Sequence, residues 1–203
     1  MHVLTQMTKP FSPACERNQG FILKELKEVL KGVHTVLEIG AGTGQHAVHF
    51  AEHMPWLIWQ CSDIQENLLG INMWVKDSGL MNLPRPIELD VSVQTIATRY
   101  DAIYSSNTLH IMSKTHVEDF FRLISALSHK RTELIVYGPF NYEGEYTSES
   151  NANFDISLKS RNRESGIRDF EWINDLAKNI GFTLVDDKEM PANNRLIHWR
   201  YSD

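Results

Sequence analysis

Apolar residues recur along this chain first at helical spacing and then in short unbroken runs, and the two kinds of segment alternate. Phe21, Ile22, Leu26, Val29 and Leu30 predict a first helix running to about Lys31, with Gly32 as its stop. Thr35-Val36-Leu37-Glu38-Ile39 is nearly all apolar and predicts a short buried strand. Gly44 to Met54 predicts the next helix, closed by Pro55. Leu57 to Cys61 reads as a second strand, and Ile64 to Lys76 as a crossover helix ended by Gly79. Pro86 to Leu89 and Asp101 to Ser105 predict strands three and four. His116 to Leu127 carries Val117, Phe120, Phe121, Ile124 and Leu127 on one side, and Glu133 to Tyr137 follows as a fifth strand. Residues 141–168 are polar, without periodicity and too long for an ordinary connection, which predicts a functional loop. Trp172, Ile173, Leu176 and Ile180 mark the last helix before Gly181. Phe182 to Val185 and Leu196 to Trp199 close the chain as two strands, with Asn193 and Asn194 expected to turn between them in αL conformation. Strands so closely linked must pair antiparallel, because a parallel pair needs a long crossover.

This order predicts an α/β, Rossmann-like fold: a seven-stranded, mostly parallel sheet with a C-terminal antiparallel hairpin and helices on both faces. The 203 residues, 42% of them hydrophobic, suit one domain spanning 1–203. Within it, residues 1–18 are expected to form an N-terminal lid before the first helix, and residues 141–168 an active-site loop.

Charge and cysteine usage narrow the class. The net charge is -6 and no run of Lys or Arg occurs, which argues against nucleic acid as a partner. No stretch approaches the roughly 20 apolar residues that span a bilayer. Met1 to Pro13 lacks the charged start and apolar run of a secretory signal, so the cytoplasm is the expected compartment. Cys15 and Cys61 have no paired spacing and are expected as free thiols. His46, His49 and His53 stand at helical spacing; with no carboxylate or cysteine completing a ligand pattern, a half-exposed surface stripe is expected rather than a metal site.

The sharpest local signal is Glu38-Ile39-Gly40-Ala41-Gly42-Thr43-Gly44, between a strand and a helix. Glycines let the backbone turn with positive φ and approach a ligand, and the first strand-to-helix turn lies where ligands bind in this architecture. The dinucleotide fingerprint wants its third glycine one residue later, where position 45 is Gln. A carboxylate at Glu38 is awkward beside a pyrophosphate and suits a ligand with a cationic end. Asp63, ending the second strand, suits a pair of ribose hydroxyls, and Asp90, ending the third, suits an adenine amino group. Each acid alone has a bland alternative, since an aspartate after a strand is often a helix cap. The three together point to S-adenosyl-L-methionine, which has a sulfonium and an amino group and no phosphate.

The stretches Lys9 to Asn18 and Val36 to Ala47 resemble the methyltransferase-like 26 family of class I S-adenosylmethionine-dependent methyltransferases. Ser105 to Ile111, Tyr137 to Phe140, Gly166 to Asp169 and Met190 to Asn194 are similar too, so the resemblance covers nearly the whole chain. It implies that Glu38, Gly40, Gly42 and Gly44 line the methionine end, that Asp63 holds the ribose, and that Asp90 and Val91 flank the adenine. It places Asn107 beside both the cofactor and the transferring methyl. Gly40 stands where some relatives carry serine, so a small side chain is expected to serve equally there. The product would be S-adenosyl-L-homocysteine, and no acceptor is implied.

Methyl transfer is an in-line displacement that positioning and desolvation can drive, with a general base needed only when the acceptor must lose a proton. Ser105 to His110 lacks the Asn/Asp-Pro-Pro-aromatic pattern that grips exocyclic amines and instead resembles the Asn-x-x-His strand ends of several small-molecule methyltransferases, which implies a small-molecule acceptor. Asn107 and His110 are the candidate catalytic residues; the alternative for His110 is a capping or core-packed histidine. Arg17 and Asn18, in the expected lid, and Tyr142 and Arg163, in the long loop, are the candidate substrate contacts. Ser12 or Asn18 acting merely as a helix cap is the alternative in the lid; Arg163 and Arg168 could hold a carboxylate in a bidentate pair, with plain surface solvation the alternative for either. A non-catalytic S-adenosylmethionine-binding module with a protein partner is the second functional reading, and a nicotinamide-dependent oxidoreductase the third. Oligomeric state is not legible.

Overall fold

The computed structural model describes residues 8–93 and 96–202. Residues 1–7 of the expected lid, and the ends of the expected 1–203 domain, lie outside them. Nine strands occur among the described residues, seven of them in one sheet. These are β1 (Thr35–Ile39), β2 (Ile58–Asp63), β3 (Ile87–Glu88), β4 (Ala102–Ser106), β5 (Glu133–Gly138), β8 (Phe182–Met190) and β9 (Asn194–Tyr201), in the order β3-β2-β1-β4-β5-β9-β8. The first five are parallel, β9 runs antiparallel to β5, and β8 pairs antiparallel with β9. Strand order therefore reverses between β1 and β4, and the carboxyl ends of these two strands open the crevice where such sheets bind ligands. The sheet is the one expected from the sequence.

Alternation along each strand sorts the core into two layers. Val36, Trp59, Tyr104, Ile135 and Leu196 pack with α1 (Pro13–Val29), α2 (Gln45–His53) and α3 (Gln65–Ser78) on one face. Leu37, Ile103, Leu134, Val136, Ile197 and Trp199 pack with α4 (Lys114–Leu127) and α6 (Phe170–Asn179) on the other. Glu38 lies one residue from Leu37 and so faces the first layer, among Trp59 and Tyr104.

Two helices depart from the sequence expectation. α1 begins at Pro13, with Ser12 as its N-cap accepting from the backbone of Cys15 and proline in its first turn. Residues 13–18 are thus the start of the helix and not a lid ahead of it, and Ser12, not Asn18, is the cap. Residues 141–168 are not one loop. They contain α5 (Glu149–Arg161), capped by Ser148, with β6 (Phe140–Asn141) before it and β7 (Arg168–Asp169) after it, paired in parallel as a separate small sheet. The closing strands are also longer than the apolar residues alone indicated, and the residues with positive φ between them are Ala192 and Asn193.

Candidate active site

A cleft of about 1770 Å³ opens at the reversal of strand order. Of the residues expected to form the site, Glu38, Gly40, Gly42, Asp63, Asp90, Val91, Asn107, His110, Arg17 and Asn18 line it, whereas Gly44, Tyr142 and Arg163 do not. The last three have separate explanations. Gly44 is the left-handed N-cap of α2, and a Cβ there would stand 3.1 Å from the Ile71 backbone, so this glycine lets α2 and α3 approach. Tyr142 stacks on Phe170 and donates its hydroxyl to Asp187 at 2.7 Å, away from the cleft. Arg163 is exposed on the turn after α5.

The glycine loop is held from both sides. Gly40 and Ala41 donate to the Ser62 carbonyl, each at 3.0 Å, and Gly42 donates to Oδ2 of Asp63 at 2.6 Å. Gly40 has φ +79°, and a Cβ would lie 2.6 Å from Oγ1 of Thr108. Serine would not serve equally at this position, contrary to expectation, because it would combine a disfavoured backbone with a steric overlap. Gly42 differs: its φ is +59° but nothing lies within 4 Å of its would-be Cβ. The open space there belongs to the cleft.

The carboxylates are placed unequally. Glu38 is 1% exposed, accepts from Nε1 of Trp59 at 2.8 Å and has its pKa pushed up to about 7. Burial is the main cause; the Trp59 bond opposes it and the charge of Asp63 adds to it. Asp63 accepts from Gly42 and, through Oδ1, from the Ile64 backbone and the Asn67 amide, both at 2.8 Å. That uses three of a carboxylate's roughly four acceptor positions. Asp90 accepts from the backbone and hydroxyl of Ser92 through Oδ1, and these bonds hold its pKa down. These groups fit a cationic, phosphate-free ligand: the cradle at Gly42 is open and the surrounding charges are acidic.

Across the cleft, Asn107 adopts φ 56° and donates its backbone N–H to the Tyr137 carbonyl at 2.8 Å, bridging the ends of β4 and β5. His110 is 6% exposed and meets the Phe154 ring edge-on with 5.2 Å between centroids. Its ring nitrogens have no hydrogen-bond partner among the described residues. Its pKa is lowered to about 4, by burial first and by Arg168 and Arg161 after that. His46, far from being part of a surface stripe, is 4% exposed and donates through Nε2 to Oδ1 of Asn18 at 2.8 Å. His49 is half-buried and only His53 is exposed. Both cysteines are free, and Cys15 reaches the cleft wall.

Several contributors escaped the sequence. Asn151, Phe154, Leu158 and Arg161 line the cleft at spacings of three and four residues, one face of α5. Ser148 as N-cap and Lys159 and Arg161 in the last turn were the legible signals of that helix. Arg168 is buried, with its guanidinium donating to the carbonyls of Leu109, Met112 and Glu164; it braces the wall rather than holding a ligand. Among the described residues no group of His, Cys, Asp and Glu could hold a metal ion, and no helix is long and apolar enough to cross a membrane.

The fold is similar to solved methyltransferases. S-adenosylmethionine-dependent methyltransferase SibL superposes with a TM-score of 0.80 at 18% identity, over 94% of this chain and 56% of that one. An O-methyltransferase family protein from Burkholderia thailandensis gives 0.79 at 14% identity, over 93% and 57%. The mitomycin 7-O-methyltransferase MmcR gives 0.76 at 18%, over 90% and 54%. This chain thus spans a little over half the length of each, and what is shared at such identity is the Rossmann-like methyltransferase fold. Residues 9–201 match the model of the family described as "Protein of unknown function (DUF938)", and the chain belongs to that family.

Proposed function

We propose that this protein is an S-adenosyl-L-methionine-dependent methyltransferase acting on a small-molecule acceptor. The observation that carries the reading is the open cradle at Gly42, ringed by the carboxylates of Glu38, Asp63 and Asp90 at the switch point of the sheet. When bound, this cofactor supplies an electrophilic methyl group on a sulfonium centre. Glu38 would balance its positive charge at the methionine end, Asp63 has capacity for about one ribose hydroxyl, and Asp90 with Val91 would flank the adenine. Asn107, fixed by its backbone bond to β5, would set the boundary between cofactor and acceptor. Its catalytic role with His110 is positional: a neutral imidazole of such low basicity orients an acceptor better than it removes a proton. Arg17 and Asn18, at the start of α1, would touch the acceptor. The fold likeness to S-adenosylmethionine-dependent enzymes and the motif likeness to the methyltransferase-like 26 family support the reading, and the cytoplasm is the proposed compartment.

Thermal unfolding with S-adenosylmethionine, S-adenosylhomocysteine, NAD or no ligand tests it. A ligand at a hundred times its Kd adds about 2.7 kcal/mol of stability. The expected result is a rise in Tm with the two adenosyl compounds only, abolished by Asp63→Ala. A rise with NAD alone, or none at millimolar adenosyl ligand, overturns the proposal.

A further inference from the structure

The carboxylates that line the cleft lie on one side of it, and its arginines are Arg17 of α1 and Arg161 of α5. Its carboxylates, Glu38, Asp63, Glu66 and Asp90, belong to β1, β2, α3 and the turn after β3, all on one side of the strand-order reversal. On the other side, where β4, β5, α5 and the β8–β9 turn contribute, no described lining residue is a carboxylate. The groups there include the imidazole of His110, the side chains of Phe154 and Leu158, backbone-tethered amides, and the guanidinium of Arg161.

Arg161 differs from the two arginines near it. Arg168 spends its donors on three carbonyls, and Arg163 lies off the cleft. Arg161 makes one intrahelical bond, Nε to the Ser157 carbonyl at 3.2 Å, and has no ion-pair partner among the described residues. Asp155, the nearest acid along the helix, is taken by Lys159, Tyr146 and the Ile167 backbone. An unspent guanidinium presents a planar fork that matches a carboxylate with two parallel bonds. On the same face of α5, Leu158 and Phe154 offer an apolar surface about one and two turns away. Beside them a neutral His110 offers one N–H and one lone pair, neither used among the described residues.

We propose that the α5 side of the cleft selects a small apolar acid, ionised at neutral pH, whose carboxylate is held by Arg161 and whose body lies on Phe154 and Leu158. The two halves would then bind opposite charges, a cation against Glu38 and an anion against Arg161. Only the name acceptor for this ligand rests on the methyltransferase reading; its binding does not.

The test is ligand-observed NMR of the full chain with benzoate, phenylacetate and octanoate as probes and the corresponding amides as neutral controls. The acids are expected to bind about tenfold more tightly than their amides, the scale of one charged hydrogen-bonded contact. Arg161→Gln should abolish that preference without lowering Tm, while Arg163→Gln should leave it intact. Equal binding of acids and amides, no binding of any probe at millimolar concentration, or a preference that survives Arg161→Gln overturns the proposal. Melting the same samples with S-adenosylhomocysteine separates the two claims. A cofactor shift without acid preference removes the acid and keeps the methyltransferase; acid preference without a cofactor shift does the reverse.

Discussion

The indole N–H of Trp59 on β2 donates to Oε2 of Glu38 on β1 at 2.8 Å, and this bond steadies a carboxyl group almost wholly removed from water. Its pKa of about 7 means that the group is half-ionised under ordinary conditions. A cationic ligand favours the ionised form, so its arrival should expel a proton. S-adenosylhomocysteine affinity is therefore expected to rise as pH goes from 6 to 8, and to lose this dependence in Glu38→Gln. Isothermal titration in two buffers of different ionisation heat measures both the affinity and the proton released.

The same group predicts a stability change of opposite sense. Unfolded, Glu38 loses its proton near the ordinary value of 4.5; folded, it keeps it to about 7. The folded state therefore loses stability as pH rises between these values, by up to about 3 kcal/mol. Glu38→Gln should raise Tm at pH 8 and change it little at pH 5, while weakening cofactor binding. A stabilising substitution that harms the site marks a residue kept for function.

The buried histidines act the other way. His46 and His110 have folded pKa values near 4, so below about 6.5 the unfolded chain takes up protons that the folded chain refuses. Between about 6.5 and 4.5 this loss from two groups exceeds the gain from Glu38, and Tm should fall with acidification. His46→Phe or His110→Phe is expected to flatten that fall, followed by melts from pH 7 to pH 5.

Gly40 and Gly42 should separate folding from binding. Gly40→Ser meets Thr108 and a positive φ, and is expected to cost about 1–3 kcal/mol of stability. Gly42→Ala has the backbone penalty without the overlap, so it should fold with a smaller loss and fail chiefly in binding S-adenosylhomocysteine. Urea unfolding and ligand titration on each variant check the contrast.

Arg168→Lys should be destabilising despite keeping the charge. Lysine cannot reproduce the fork that reaches the carbonyls of Leu109, Met112 and Glu164, and about 3 kcal/mol is expected to be lost as buried acceptors go unpaired. Urea unfolding measures the loss, and hydrogen exchange at Gly166, whose N–H donates to the His110 carbonyl, should accelerate.

What the sequence disclosed follows a physical rule. β1, β4 and β5 are covered on both faces, so they read as apolar runs, and α4 shows its buried stripe of Val117, Phe120, Phe121, Ile124 and Leu127. The glycine loop was legible because positive φ at Gly40 and Gly42 favours glycine, and at Gly40 a side chain would also meet Thr108. The first turns of α1 and the whole of α5 were not. Both wall the cleft, and a helix facing a ligand space turns Arg17 and Asn18, or Asn151 and Arg161, inward where a core helix would show leucine. Hydrophobic periodicity is thus weakest where the helices line the site. Tyr142 and Arg163 were misplaced for the same reason: without a helix to fix direction, every polar side chain of residues 141–168 seemed equally able to reach the ligand.

The pairing of Phe140 with Arg168 and of Asn141 with Asp169 gives the α5 excursion an anatomy of its own. Its two ends are pinned side by side, so the chain leaves the main fold and returns to it at nearly one point. Between those ends it is tied back at a few points: Tyr142 donates to Asp187 of β8, the Asn151 amide to the Asn193 carbonyl in the β8–β9 turn, and Gly166 to the His110 carbonyl. The excursion is thus a hoop closed at its base and buttoned to the rim of the cleft, so a change on its inner face reaches the ligand space first and the antiparallel hairpin through the β8–β9 turn.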